Sequence, residues 1–229
     1  MDRRDFLTCS VAAATLTAFD ALANTPQKQY VRAQLTDALG DPIKASAIKA
    51  ETNYVFFYPF SSTPCFLLNL GKALKNPATL KTQKGQTYGW QGGVGKGNSL
   101  VAYSAICAHK LAYPAKEVSF IRFQANKTQT SDAGMIHCCA DHSVYDPAAG
   151  ARVVSGPAQE PLAIVLLEWD AKTDGLYATG TLGAEKFDAF FQKYDFKLQL
   201  EYGARAKQPV ATKTSITELA NYCKNVAQC

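Results

Sequence analysis

All three histidines of the 229-residue chain, His109, His137 and His142, fall between positions 107 and 142, a stretch that also holds Cys107, Cys138 and Cys139. Thiolate and imidazole are the protein ligands of zinc and of iron–sulfur clusters, so this concentration constrains the fold before any periodicity is considered. Cys107-Ala108-His109 is a Cys-x-His pair just after the apolar run Leu100–Ile106, and Cys139-Ala140-Asp141-His142 is a Cys-x-x-His pair further along. Two loops that each offer one thiolate and one imidazole present four ligands: Cys107, His109, Cys139 and His142. A Cys2His2 set can hold zinc or a 2Fe-2S cluster. Zinc fingers group Cys with Cys and His with His, whereas here each loop mixes the two, which suits a cluster whose one iron takes both sulfurs and whose other takes both nitrogens.

The rest of the chain reads as mainly β. From Tyr30 onward, short aromatic or β-branched runs alternate with turn residues, at Tyr30–Leu35, Tyr54–Tyr58, Cys65–Leu70, Leu100–Ile106, Val118–Gln124, Arg152–Val154, Ala163–Trp169 and Gly175–Thr181. The Gly-rich stretch Gly92–Asn98 is a loop and not a phosphate cradle, because Lys96 is followed by Gly97 where a phosphate loop has Ser or Thr. Helix is expected late in the chain, over Ala184–Tyr194 and over Ser215–Val226, where Ser215 and Glu218 form a capping-box pattern. The chain thus divides into an N-terminal address over 1–23, a β domain over 24–182 with metal loops at 107–112 and 137–147, and a helical extension over 183–229.

The address carries an arginine pair in Arg3-Arg4-Asp5-Phe6-Leu7, an uncharged run from Phe6 to Phe19 and a small-x-small site at Ala21-Leu22-Ala23. That is an export signal of twin-arginine type, too short to span a bilayer, and it places the chain in the periplasm. Left uncleaved, it would tie the chain to the inner membrane. The net charge of +5 is mild and dispersed, which gives no footprint for nucleic acid. An oxidising compartment permits disulfides; Cys223 with Cys229 is the simplest pair, and Cys65, inside an apolar strand, reads equally as a buried free thiol.

The motif set resembles the Rieske 2Fe-2S family. Val101–His109 is similar to the strand and first cluster loop of that family. Tyr145-Asp146-Pro147, Gly150–Ala158 and Pro161-Leu162 are similar to the family's segment after the second loop, including a Gly-Pro-Ala turn over the cluster. The resemblance covers roughly residues 60 to 182, as one domain of ordinary size. It implies a Rieske-like antiparallel β-sandwich with a cluster-binding subdomain, plus C-terminal helices, and one 2Fe-2S cluster on Cys107, His109, Cys139 and His142. Cys138 competes with Cys139: it lacks the Cys-x-x-His interval to His142, yet it stands the family's distance before Tyr145-Asp146. The interval between Cys139 and His142 favours Cys139.

Departures from the respiratory pattern are visible as well. The two extra Cys that clasp the loops in that pattern are replaced by Ala112 and Asp141, and Lys110 stands where the family has Leu. The interval between the two pairs is long enough to include an inserted excursion from Val118 to Asp132. The resemblance implies a hydrogen bond from Tyr145 to the cluster; Ser143 stands near the second donor position, in a loop one residue shorter than usual. It also implies that His109 and His142 are both ligands and the exit for electrons, and leaves His137 as a polar loop residue. The expected role is electron transfer without independent bond-making chemistry, as the iron–sulfur subunit of an oxidoreductase similar to quinol–cytochrome c reductase, with a cytochrome or a quinol-oxidising subunit as partner. The small Rieske subunit of a molybdenum enzyme such as arsenite oxidase is the alternative, and a structural zinc or disulfide-stapled module is the alternative of another class.

Overall fold

The computed structural model describes residues 27–128 and 132–229. The export signal over 1–23 lies outside the described residues. In chain order the strands are β1 (Gln27–Thr36), β2 (Tyr54–Phe57), β3 (Pro64–Asn69), β4 (Ala78–Lys81), β5 (Thr87–Trp90), β6 (Leu100–Ser104), β7 (Val118–Ser119), β8 (Ile121–Gln124) and β9 (Met135–Cys138). After these come β10 (Ser143–Asp146), β11 (Arg152–Ser155), β12 (Ile164–Asp170), β13 (Gly175–Leu182), helix α1 (Phe187–Tyr202), β14 (Lys213–Ser215), β15 (Thr217–Glu218), the single turn α2 (Leu219–Tyr222) and β16 (Asn225–Val226). The expected β architecture is present, with a large sheet and a separate smaller one.

Eight strands form the large sheet in the order β14-β1-β13-β12-β6-β3-β2-β15. Strand side chains alternate between faces, so a strand buried on both sides reads as one unbroken apolar run. The run Cys65–Leu70 does this: Phe66 and Leu68 join the core on the metal-loop side, while Cys65 and Leu67 join a second core with Phe56, Leu100 and Ala102. The edge strands β14 and β15 are separated only by Ile216, so these two consecutive strands join the two edges of the sheet. The Thr214 hydroxyl donates to the Phe57 carbonyl at 2.9 Å, which ties that closure to β2. Edges joined in this way leave fewer unpaired backbone groups for association.

This closure corrects the expectation of a helix over Ser215–Val226. Ser215 caps no helix; Thr217 and Glu218 pair with Val55 and Tyr54 in an antiparallel ladder, and helix is confined to the turn immediately after them. The ladder satisfies backbone groups that a capping box would otherwise serve, and tertiary pairing overrides the local signal. The first expected helix forms, with a break in helical geometry at Tyr194 (φ −109°, ψ 16°) and a second segment running on to Tyr202.

The smaller sheet has the order β11-β10-β9-β8. Its outer strand β8 comes from the stretch expected to be an inserted excursion: Ile121 pairs with Cys138 and Phe123 with Ile136. The added residues therefore widen the metal-loop subdomain. The β4–β5 hairpin packs against it, with Leu80 and Trp90 so close to Gly150 that a Cβ there would meet Leu80 at 2.6 Å.

Candidate metal centre

The first loop leaves β6 and turns tightly at Cys107. Its amide donates to the Ala112 carbonyl at 2.9 Å, and the Leu111 amide returns to the Cys107 carbonyl at 3.0 Å, with Leu111 in the left-handed region (φ 61°). Helix α1 braces this loop from behind. The Tyr113 ring meets Phe190 and Tyr194 edge-on, each at 4.9 Å, and the Lys193 ammonium donates to the Lys110 carbonyl. The three phenylalanines that mark the apolar face of α1 therefore serve to hold the loop carrying Cys107 and His109.

The second loop is the hairpin between β9 and β10. Cys138 pairs with Ser143 across the ladder, so Cys138 is the last strand residue and 139–142 form the turn. The His142 amide donates to the Cys138 carbonyl at 2.7 Å and closes that turn, with His142 itself left-handed (φ 60°). Gly156 covers the loop closely: a Cβ there would lie 2.5 Å from the His142 carbonyl oxygen and from Ser143 Cα. The Ala158 amide donates to Ser143 Oγ at 3.2 Å, which docks the Gly-Pro-Ala turn on the second loop.

Among the described residues, the ligand atoms of Cys107, Cys138 and Asp141 lie within 4.8 Å of one another. His109 joins them through its Nδ1, 2.8 Å from Asp141 Oδ2. Cys107 Sγ is 3.3 Å from the same carboxylate oxygen and 3.4 Å from the Tyr145 hydroxyl. Because the Ala108 amide donates to that hydroxyl at 3.2 Å, the hydroxyl proton is free to point at Cys107. Cys107 and Cys138 are buried, whereas the His109 side chain is 47% exposed, so the sulfurs lie inside and the imidazole opens to solvent.

The electrostatics of the pocket follow from this packing. The Cys107 thiol is drawn down to about 7 by the hydrogen bond from Cys138, with Tyr145 and two backbone amides adding to it against the opposing effect of burial. Cys138 is correspondingly held as the thiol, by that same bond, by burial and by the neighbouring charges of Cys107 and Asp141. Burial works to raise the Asp141 carboxyl, but bonds from Cys138, the Ser143 amide, His109 and Cys107 outweigh it and leave it at about 2. Two thiols are thus gathered around a carboxylate, and thiols give up their protons when a metal centre binds.

Cys107 and His109 come together as expected; Cys139 and His142 do not. Cys139 is disulfide-bonded to Cys229, with Cα atoms 5.5 Å apart, so its sulfur is not available to a metal, and the pairing of Cys223 with Cys229 is corrected by the same bond. Cys223 is a buried free thiol 2.8 Å from the Asn225 carbonyl, and Cys65 is fully buried and free, its thiol pushed up by burial. His142 is exposed in the turn and outside the ligand group. His137 is a buried residue of β9, not a loop residue; burial lowers its imidazole and the Arg122 charge lowers it further. The signal that pointed at Cys138 is its distance to Tyr145-Asp146, since strand register counts from the last strand residue and not from a histidine in the turn.

Two thiols, one imidazole and one carboxylate, converging from two loops under a glycine-covered turn, form a donor set that fits iron. No family model matches the chain. Among solved structures, the chain is similar to the soluble domain of the Rieske protein II (soxF) from Sulfolobus acidocaldarius, with a TM-score of 0.52 and 25% sequence identity over 86% of this chain and 96% of that one. Fold, paired loops and this structural relative together support a Rieske-type family and fold for the chain.

Proposed function

We propose that the chain is a periplasmic Rieske 2Fe-2S electron-transfer protein, serving as the iron–sulfur subunit of a respiratory oxidoreductase of quinol–cytochrome c reductase type. The observation that carries this reading is the convergence of Cys107, Cys138 and His109 from two loops, sulfurs buried and imidazole exposed. A bound 2Fe-2S cluster would supply one-electron chemistry. The two cysteines would hold its inner side, and His109 would present the outer side to a partner. Tyr145 directs its hydroxyl proton at Cys107, which favours extra negative charge on that sulfur and so favours the reduced state. The apolar packing beneath the loops keeps water from the sulfurs.

Among the described residues no helix is long and apolar enough to cross a membrane. Association with a membrane would therefore run through a partner or through the N-terminal segment. The partner in this reading is a cytochrome or a quinol-oxidising subunit. The test is purification of the chain from native membranes, then reduction with a quinol and transfer to cytochrome c. A complex that contains a quinol-oxidising subunit and turns over supports the reading, and co-purification with a molybdenum subunit contradicts it.

A further inference from the structure

The fourth ligand is where this chain leaves the family pattern. We propose that the Asp141 carboxylate takes the place of the second histidine, so that the outer iron is held by His109 and Asp141. This rests on the iron–sulfur reading above and concerns only which side chain completes the set.

Hairpin register supplies the first observation. Cys138 is the last residue of β9 because it pairs with Ser143, and the ligand three places beyond it is Asp141; His142 is one place further on. The second is distance. Asp141 Oδ2 lies 2.8 Å from His109 Nδ1, close to the separation of roughly 3 Å expected for two donors bound about 2 Å from one metal ion. The third is burial. The Asp141 side chain is only 5% exposed, and its hydrogen-bonding neighbours are His109, the two thiols and the Ser143 amide, which binds the other oxygen at 3.0 Å. A carboxylate is taken from water at high cost unless it is paired, well hydrogen-bonded or coordinates a metal, and the atoms around it here are themselves metal donors.

His142 lies one place past that register position, and it is exposed. It takes the left-handed conformation that closes the turn, and presents its carbonyl to Gly156. Cys139, the other residue of the Cys-x-x-His interval, is held in the disulfide to Cys229. With an anionic oxygen in place of a neutral nitrogen, the cluster carries one more negative charge, which disfavours reduction.

The experiment uses the full-length protein purified with its native cluster, and compares wild type with Asp141→His, Asp141→Ala and His142→Ala. Pulsed EPR of the dithionite-reduced protein counts the nitrogens bound to iron, and voltammetry gives the potential. Expected are one strongly coupled nitrogen in wild type and in His142→Ala, two nitrogens and a raised potential in Asp141→His, and loss of the visible chromophore in Asp141→Ala. Two nitrogens in wild type, or loss of the cluster in His142→Ala with retention in Asp141→Ala, overturns the assignment while leaving the iron–sulfur reading intact. A wild-type protein that holds one zinc and no sulfide overturns that reading, and this inference with it.

Discussion

Cys139 is joined to Cys229 across 90 residues of sequence, so the end of the chain is fastened to the tip of the second metal loop. The last strand supports the same attachment: β16 runs parallel to β7, pairing Asn225 with Val118 and Val226 with Ser119, and the Ala227 amide donates to the Ser119 carbonyl at 2.9 Å. In the respiratory Rieske pattern a disulfide clasps loop to loop; here the clasp runs from the second loop to the C-terminal tail.

Removing that clasp should loosen the second loop. A Cys229→Ser variant is expected to lose about 2–4 kcal/mol of stability, the usual contribution of a disulfide closing a long loop. Urea denaturation under oxidising and reducing conditions checks this: wild type should fall to the variant's midpoint when reduced, and the variant should not respond.

Tyr145 acts on the potential and hardly on the fold. Tyr145→Phe removes the hydroxyl 3.4 Å from Cys107 Sγ while keeping the buried ring. Loss of a hydrogen bond worth about 1 kcal/mol more in the reduced state lowers the potential by some tens of millivolts. Voltammetry of the two proteins, with thermal melts alongside, separates the electronic effect from a packing defect.

Gly156 has φ 89°, and a Cβ there would strike backbone atoms of His142 and Ser143 at 2.5 Å. No rotation of a side chain relieves that contact. Gly156→Ala should cost about 1–3 kcal/mol through strain at a left-handed position and displace the second loop. Faster bleaching of the visible absorption under chelator, relative to wild type, is the expected reading.

Phe190 is fully buried and sits against Tyr113, behind the first loop. Phe190→Ala should lose about 3–5 kcal/mol as a core cavity. Because the cavity opens behind Cys107 and His109, iron loss should accelerate in proportion, measured as chelator-dependent bleaching at a temperature where the variant is still folded.

Much of this architecture is legible in the sequence. The strands at Tyr54, Cys65, Leu100 and Gly175 announce themselves because each is an apolar run bounded by turn residues, and the pair Cys107–His109 stands out because it comes directly after such a run. The second loop is harder to read, since two adjacent cysteines satisfy two different intervals. The distance from Cys139 to His142 is local, whereas the distance from Cys138 to Tyr145 reflects strand register, and the register decides. The segment from Ser215 to Glu218 misleads for a related reason. Its capping pattern is a property of four residues, while its partners, Thr36, Val55 and Tyr54, lie far away in the chain. The pairing of Cys139 with Cys229 has no sequence signature at all, because loop closure over that distance depends on where β7 and β16 meet.

The identity of the bound group tests the whole account most directly. Iron, acid-labile sulfide and zinc measured on the purified full-length protein, with an EPR spectrum after reduction, should give two irons and two sulfides per chain and the signal of a reduced 2Fe-2S cluster. A colourless protein with a single zinc and no sulfide would contradict it.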